Sequence, residues 1–240
     1  MIKYKKIISL GYFCSPALEI KREGLRIASF PFDWLIIPDF QTLLFLIESK
    51  FEDFMTPKYF YQFKSNPSYY KNIKYNIDFY HDFNPFIPFA KQIDEVSQKY
   101  TRRINRFYEE IQEPTLFIRY VSSYGEIEYI EKNYDYVMNV LKTFNSSNDI
   151  IFVANSEDLK DNLVKSSILK VWTVNKDKND TVSREFLKVN EDLEKYILEH
   201  VSFENNNKYK SIETKKSFIN RVYKKVRLKL NLHYHHKFKV

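Results

Sequence analysis

The sequence predicts an α/β protein: a three-layer, mainly parallel sheet with helices on both faces, followed by a basic C-terminal helical tail. Continuous apolar runs, without the polar alternation of a half-exposed strand, recur along the chain. Longer segments with helical spacing of apolar residues separate these runs. Strands that alternate with helices indicate βαβ units, and such units build parallel sheets that are covered on both sides.

Four apolar runs are the predicted strands, at residues 6–10, 115–121, 149–154 and 168–174. Helices are predicted between and after them, at 16–22, 40–54, 92–112, 127–141, 159–165 and 182–201. For the first helix we expect Ser15 as the N-cap, Pro16 as the first helical residue and Gly24 as the C-terminal cap. Residues 57–90 are aromatic and interrupted by Pro and Asn, so we expect them to be mostly irregular.

The net charge of +7 comes from the C-terminal segment. Nine basic residues and no acidic residue lie between Thr214 and Val240, which leaves residues 1–213 with a net charge of −2. Phe218, Val222, Val226 and Leu230 recur there every four residues, so the pattern predicts a basic amphipathic helix. Such a helix either packs on the body of the protein or makes a peripheral contact with a membrane surface through residues 215–230.

This change in composition predicts two parts, an α/β domain at residues 1–204 and the basic tail at 205–240, with a linker at 205–207. Three histidines of the tail, His233, His235 and His236, could bind a metal ion. An exposed, frayed chain end is the more usual explanation for them. We therefore predict no metal site.

The composition also excludes several classes of protein. A single cysteine rules out an internal disulfide framework and a zinc site built from several cysteines. Three glycines are too few for a glycine-rich phosphate loop, and no cofactor is predicted. The sequence contains no apolar span of about 20 residues and no signal peptide at its start. We therefore expect a cytoplasmic protein that reaches the inner face of a membrane only if the tail binds lipid. Nucleic acid is not an expected partner, because the basic residues are confined to the tail.

Cys14 is the first candidate for chemistry, because it lies between the first predicted strand and a helix start. Backbone N–H groups and the helix dipole at such a position favour a thiolate and lower the pKa of the thiol. Ligands of open α/β sheets also bind outside the carboxyl ends of the strands. A lone cysteine is, however, commonly a small buried apolar residue. The position alone therefore leaves both roles open.

A catalytic thiol needs a base, and two histidines lie outside the tail. His81 falls in the irregular stretch, where functional residues are frequent, whereas His200 suits a cation at a helix C-terminus. We therefore expect His81 to be the base. Asp82 or Asp33 is expected to orient the imidazole. Asp33 has a structural alternative, an ion pair with Arg26, since a carboxylate among Phe and Trp needs a partner.

Two further polar residues, Arg119 and Asn155, lie at the ends of predicted strands, on the edge expected to hold Cys14. Together with Arg26 they are candidates for binding a carboxylate, a phosphate or a sugar. A single charged residue at the end of a strand is also frequent in proteins that bind nothing there, so Arg119 need not bind a ligand. Glu126 is expected at an exposed helix start.

Several of these segments resemble a bacterial and viral family of unknown function that is described as papain-like cysteine peptidases. They are the Ile-Ser-Leu-Gly-Tyr-Phe-Cys of 8–14, the Leu-Arg of 25–26, the Ser-Phe-Pro-Phe-Asp-Trp of 29–34, the His-Asp-Phe of 81–83, and 103–119. The resemblance spans residues 6–160 and implies that Cys14 is a nucleophile and His81 a base. Members often occur with surface-polysaccharide genes, which implies a glycan context. A papain fold contains an antiparallel barrel, whereas the apolar runs favour a parallel sheet, so we keep the α/β prediction.

Three hypotheses about function follow from these residues. The first is a thiol-dependent hydrolase or transferase, in which Cys14 attacks an acyl carbonyl of a peptide or glycan-type substrate. The second is a non-thiol glycan-processing or nucleotide-sugar-binding protein, in which Arg26, Arg119 and Asn155 hold a phosphate or sugar and Cys14 is structural. The third is a peripheral membrane or interaction protein that acts through its basic tail.

Overall fold

Eight strands in two sheets and six α-helices make up the part of the chain that the computed structural model describes, residues 3–121, 123–155, 171–174, 187 and 190–202. In chain order they are β1 (Lys6–Ser9), α1 (Ser15–Arg22), β2 (Leu35–Ile36), α2 (Phe40–Glu48), β3 (Phe60–Gln62), β4 (Tyr70–Asn72), β5 (Ile77–Phe79), α3 (Phe89–Glu110), β6 (Thr115–Val121), α4 (Tyr124–Lys132), α5 (Tyr134–Lys142), β7 (Asp149–Asn155), β8 (Val171–Val174) and α6 (Glu191–His200). A short 3₁₀ turn, Pro57–Tyr59, precedes β3.

Four of the strands form a parallel sheet in the order β1-β6-β7-β8. Its register sets Ile8 opposite Phe117, and Ile118 opposite Ile151. Every residue of β6 is buried, which explains why this strand is a continuous apolar run in the sequence. The chain after α6 returns to the start of β1, where the Ser202 N–H donates to the carbonyl of Tyr4.

Alternate side chains of this sheet enter two separate hydrophobic cores. Ile8 and Phe117 belong to the larger core, which is completed by buried residues of α2, α3 and α5. Ile7 and Ile118 belong to the other core, which contains residues of α1 and α6. Helices therefore cover both faces of the parallel sheet, and the predicted α/β class with three layers is confirmed.

A second sheet, which the sequence did not reveal, is antiparallel and has the order β2-β5-β4-β3. Its strands have only two or three residues, too few for a two-residue period to be recognised. Aromatic packing holds it together: the ring of Phe79 lies 5.1 Å from that of Phe60 and 5.5 Å from that of Tyr100 on α3. Most of residues 57–90 are irregular, as predicted, but they supply three strands of this sheet and carry His81.

The helices predicted at 40–54 and 127–141 have different bounds in the structure. α2 ends at Glu48 rather than at residue 54, because positive φ values at Lys50, Phe51 and Asp53 cannot continue an α-helix. The single helix predicted at 127–141 is in fact the pair α4 and α5, which are separated at Asn133. Loop conformation, rather than loss of apolar periodicity, sets both boundaries.

Several predictions concern segments that lie outside the described residues. They are the helix at 159–165, the linker at 205–207, the basic helix with its membrane-contact residues 215–230, and the histidines His233, His235 and His236. Of the predicted strand 168–174, the structure describes β8. The helix predicted at 182–201 is α6, which begins only at Glu191, because Asn190 is its N-cap and Leu187 lies in a turn. Among the described helices, none has the length and apolar composition that crossing a lipid bilayer requires.

Candidate active site

A tight loop after β1 brings Cys14 to the start of α1. Two successive residues of the loop, Gly11 and Tyr12, have φ values of +73° and +78°. This left-handed conformation is uncommon for tyrosine, and hydrogen bonds hold the loop in place. The Tyr120 N–H donates to the carbonyl of Gly11, and the Ile37 N–H donates to that of Tyr12. The loop is thus attached both to β6 and to the residue that follows β2.

Gly11 is expected to tolerate no side chain. A Cβ at this position would lie 2.8 Å from the carbonyl oxygen of Phe32, whereas a Cβ at Gly24 would meet nothing within 4 Å. Both glycines have positive φ, so Gly24→Ala measures the conformational strain alone, about 1 kcal/mol. We expect Gly11→Ala to cost about 2 kcal/mol more, because the backbone must move. Urea denaturation of both variants tests this, and equal losses would contradict the predicted clash.

Cys14 occupies the N-cap position of α1, one residue earlier than the cap expected from the sequence. Its carbonyl accepts the first helical hydrogen bond, from the N–H of Leu18, and Pro16 lies in the first turn. The residue is half-buried. A cysteine in this place faces the positive end of the helix dipole, as the sequence predicted.

Cys14 and His81 line the same cleft, which has a volume of about 490 Å³. The parallel sheet supplies Cys14 through the loop after β1, and the antiparallel sheet supplies His81 two residues after β5. The rest of the lining is mainly apolar and aromatic, contributed by Tyr12, Phe13, Leu18, Trp34, Leu35, Ile36 and Tyr80 together with Ser15. The two residues that the sequence singled out therefore line one cleft at the junction of the two sheets.

Aromatic packing, not hydrogen bonding, sets the position of the His81 ring. The ring packs edge-to-face against Trp34, with centroids 6.0 Å apart, and lies 6.5 Å from the ring of Tyr80. Among the hydrogen bonds of the described residues, none involves a nitrogen of His81. The imidazole is exposed, which leaves it accessible from the cleft.

Asp82 does not meet the imidazole that it was expected to orient. Its carboxylate accepts hydrogen bonds from Lys99 Nζ at 2.5 Å and from the Tyr100 hydroxyl at 2.8 Å, both on α3. Burial, together with the negative charge of Asp82, raises the pKa of Tyr100 well above its usual value. Asp82 therefore anchors the loop that follows β5 to α3.

Asp33 is held in the structural arrangement that the sequence offered as its alternative. The carboxylate is buried and accepts hydrogen bonds from Arg26 Nη2 at 2.6 Å and from the Phe30 N–H at 2.9 Å. Burial raises the pKa of Asp33, while the Arg26 guanidinium and the Phe30 N–H act to lower it. Arg26 also lies over the ring of Trp34, 5.4 Å from its centroid. This pair consequently supports the tryptophan that packs on His81.

Arg119 is completely buried, with 0% of its surface exposed. Nε and Nη2 donate to Glu126 Oε1 at 3.0 and 2.7 Å. Nη1 donates to the carbonyl of Leu10 at 3.1 Å, and Nη2 also donates to that of Ile37 at 2.7 Å. The guanidinium thus joins the loop that carries Cys14 to the end of β2, and it does not reach the surface as a ligand-binding group.

Three further expectations concern Asn155, Glu126 and a metal site. Asn155 is the last residue of β7 and pairs with Val174, but its side chain lies outside what the structure describes. Glu126 was expected at an exposed helix start, yet it is buried as the partner of Arg119. Within the described residues, no group of three or more His, Cys, Asp or Glu is arranged to hold a metal ion.

Sequence reasoning missed the aromatic walls of the cleft. Trp34 and Tyr80 each lie within one residue of a predicted site residue, so their proximity in the sequence was an available signal. This signal could not be recognised, because aromatic residues make up 18% of the chain and most of them pack in the hydrophobic core.

The fold and the cleft define an α/β protein with a cysteine and a histidine that line one site. The chain belongs to the family described as "Putative papain-like cysteine peptidase (DUF1796)", whose profile matches residues 5–157. The match extends from β1 through β7 and includes Cys14 and His81. The resemblance inferred from the sequence motifs is thereby confirmed. No curated protein and no solved structure matches the chain significantly.

Proposed function

We propose that this chain is a thiol-dependent hydrolase of peptide-type acyl bonds, with Cys14 as the nucleophile and His81 as the general base. The observation that carries the proposal is that both residues line one cleft although 67 positions separate them in the sequence. Two further facts support it: Cys14 lies at a helix N-terminus, and the family is described as one of cysteine peptidases.

The proposed reaction has two steps. His81 takes the thiol proton as Cys14 attacks the carbonyl carbon, and the tetrahedral adduct collapses to a thioester when the amine leaves with that proton. Water then attacks the thioester while His81 again accepts a proton, and the carboxylic acid leaves as the thiol re-forms. Backbone N–H groups at the start of α1 are suited to hold the oxyanion, except at Pro16, which has none.

The proposed pair works without a third, orienting carboxylate. Asp82 and Asp33 accept hydrogen bonds from other residues, and Trp34 and Tyr80 pack against the imidazole. No hydrogen bond joins the Cys14 thiol to the His81 ring in this structure. Catalytic hydrogen bonds commonly tighten only in the substrate complex, and His81 is an exposed residue.

Thiol reactivity tests the pair without any substrate. Because Cys14 is the single cysteine, the rate of its modification by iodoacetamide, followed by mass spectrometry across pH, reports on one group. We expect the wild-type thiol to react at pH values well below the ordinary thiol pKa of about 8.5. The variant His81→Ala should shift the profile toward that ordinary value.

The second histidine of the described residues provides the matched control. His200 lies at the end of α6, where its Nδ1 is 2.7 Å from the carbonyl oxygen of Tyr196. His200→Ala should leave the labelling profile of Cys14 unchanged. A wild-type profile centred near 8.5, or one that His81→Ala does not alter, would remove the dyad and with it the proposed hydrolase.

The non-thiol alternative has less support. It required Arg26 and Arg119 to bind a phosphate or a sugar, but Arg26 is paired with Asp33, and Arg119 is buried against Glu126. No observation on the described residues favours a polysaccharide substrate. Membrane contact through residues 215–230 stays a prediction, because that segment lies outside the described residues.

A further inference from the structure

One ring that lines the cleft, Tyr80, also begins a series of aromatic contacts that leads away from it. Tyr80 packs on Tyr69 with centroids 4.1 Å apart, Tyr69 on Phe63 at 4.3 Å, and Phe63 on Tyr61 at 5.5 Å. These four residues, which we call the aromatic strip, come from β3, the β3–β4 connection and the position after β5. The three centroid distances add up to about 14 Å, so the aromatic strip is no longer than about four residues of extended chain.

The aromatic strip is a surface feature and is not part of the core of the small sheet. Tyr61 is 51% exposed and Tyr80 43% exposed, and the two rings between them are half-buried. The same sheet buries another set of aromatic side chains, among them Tyr70 and Phe79. Because that buried set provides the core contacts, the exposed rings are available to a partner.

The chemistry of this surface suits apolar side chains better than sugars. Among the described residues, no Asp, Glu, Lys or Arg lines the cleft. Two polar side chains beside the strip are already engaged: Gln62 Nε2 donates to the carbonyl of Pro67, and Lys71 Nζ donates to Asn76 Oδ1. A sugar needs several hydrogen-bonding groups, whereas stacking on exposed rings suffices for aromatic and aliphatic side chains.

We propose that the substrate is an extended polypeptide segment with apolar side chains, held in the cleft at Cys14 and along the aromatic strip as far as Tyr61. This inference rests on the proposed function and adds the substrate class to it. Apolar side chains of the substrate then stack on the rings while its backbone runs toward Cys14.

Binding to the Cys14→Ala variant tests the proposal, because no turnover interferes. Two fluorescein-labelled peptides of equal length, one rich in Leu and Phe and one rich in Asp and Lys, are titrated by fluorescence anisotropy. We expect the apolar peptide to bind at least about tenfold more tightly. Adding Tyr61→Ser should weaken its binding about tenfold, as loss of an exposed aromatic anchor does.

The control is an aromatic residue of similar exposure outside the strip. Phe45 on α2 is 47% exposed and packs against Tyr75, so Phe45→Ser should leave peptide affinity unchanged. Equal affinity for the two peptides, or no effect of Tyr61→Ser, would overturn the inference. Preferential binding of a soluble oligosaccharide at Tyr61 would overturn it as well.

The same set of proteins separates failure of this inference from failure of the proposed function. If the chain with Cys14 intact cleaves the peptides regardless of Tyr61, the hydrolase stands and the strip is not a substrate site. If Tyr61-dependent binding occurs but the chain with Cys14 intact cleaves neither peptide, apolar-peptide recognition stands and the hydrolase fails.

Discussion

Replacing Cys14 with alanine is expected to lower hydrolysis of an unfolded polypeptide, such as fluorescein-labelled casein, by at least about a thousandfold. The reason is that the proposed acyl intermediate forms on the Cys14 sulfur, whereas the neighbouring hydroxyl of the described lining, that of Ser15, is buried. The measurement is the rate of fluorescence release under conditions where circular dichroism shows both proteins folded. If the Cys14→Ala variant hydrolyses the substrate at the wild-type rate, the cleft is not the active site.

The matched variant for this experiment is Asp82→Asn, which tests the role of the neighbouring carboxylate. Because Asp82 is bound by Lys99 and Tyr100 on α3, we expect the pH profile of hydrolysis to keep its shape. An aspartate that oriented the imidazole would instead cause a large loss of rate when changed to asparagine. A change of that size would show that Asp82 turns toward His81 during catalysis and would contradict a two-residue site.

Replacing Arg119 with methionine is expected to lower the free energy of unfolding by about 4 kcal/mol, since it leaves Glu126 buried without its ion-pair partner. The carbonyls of Leu10 and Ile37 lose their guanidinium donor as well. Urea denaturation measures the loss. If the variant remains folded, the labelling rate of Cys14 should also change, because the guanidinium positions the loop that carries it.

Two comparisons give this prediction its control. Lys195 and Glu199 form an exposed pair on α6 at 3.9 Å, so Lys195→Met should change stability by less than about 0.5 kcal/mol. Replacing both Arg119 and Glu126 with methionine should recover part of the loss, because no buried carboxylate then lacks a partner. A loss below about 1 kcal/mol for Arg119→Met would contradict a structural role for this pair.

The sequence was informative wherever local pattern and final environment coincide. The strands β1, β6 and β7 could be recognised because both faces of the parallel sheet are buried, which leaves continuous apolar runs. The start of α1 was predicted to within one residue from the Ser-Pro pair, and that start places Cys14 at a helix N-terminus. Selection of His81 also needed only the sequence, since few histidines lie outside the tail.

The direction of polar side chains could not be predicted, because it depends on distant partners. Arg119 was expected at a surface, but the carbonyls that it binds lie 109 and 82 positions away in the chain. Asp82 was expected beside His81, but its partners lie on α3, 17 and 18 positions away. A charge at the end of a strand therefore has the same sequence signature whether it binds a ligand or anchors a loop.

The class of fold, the family, and the position of one thiol at the start of a helix could all be predicted from the sequence, because these follow from local periodicity and short motifs. That His81 lines the same cleft as Cys14 became known only from the three-dimensional structure. The shared cleft depends on the pairing of β2 with β5. This pairing sets Leu35 opposite Phe79 and so brings Trp34 beside the residues that follow β5. Such pairing between distant short strands leaves no periodic signal, because packing against the rest of the chain, and not local preference, stabilises it.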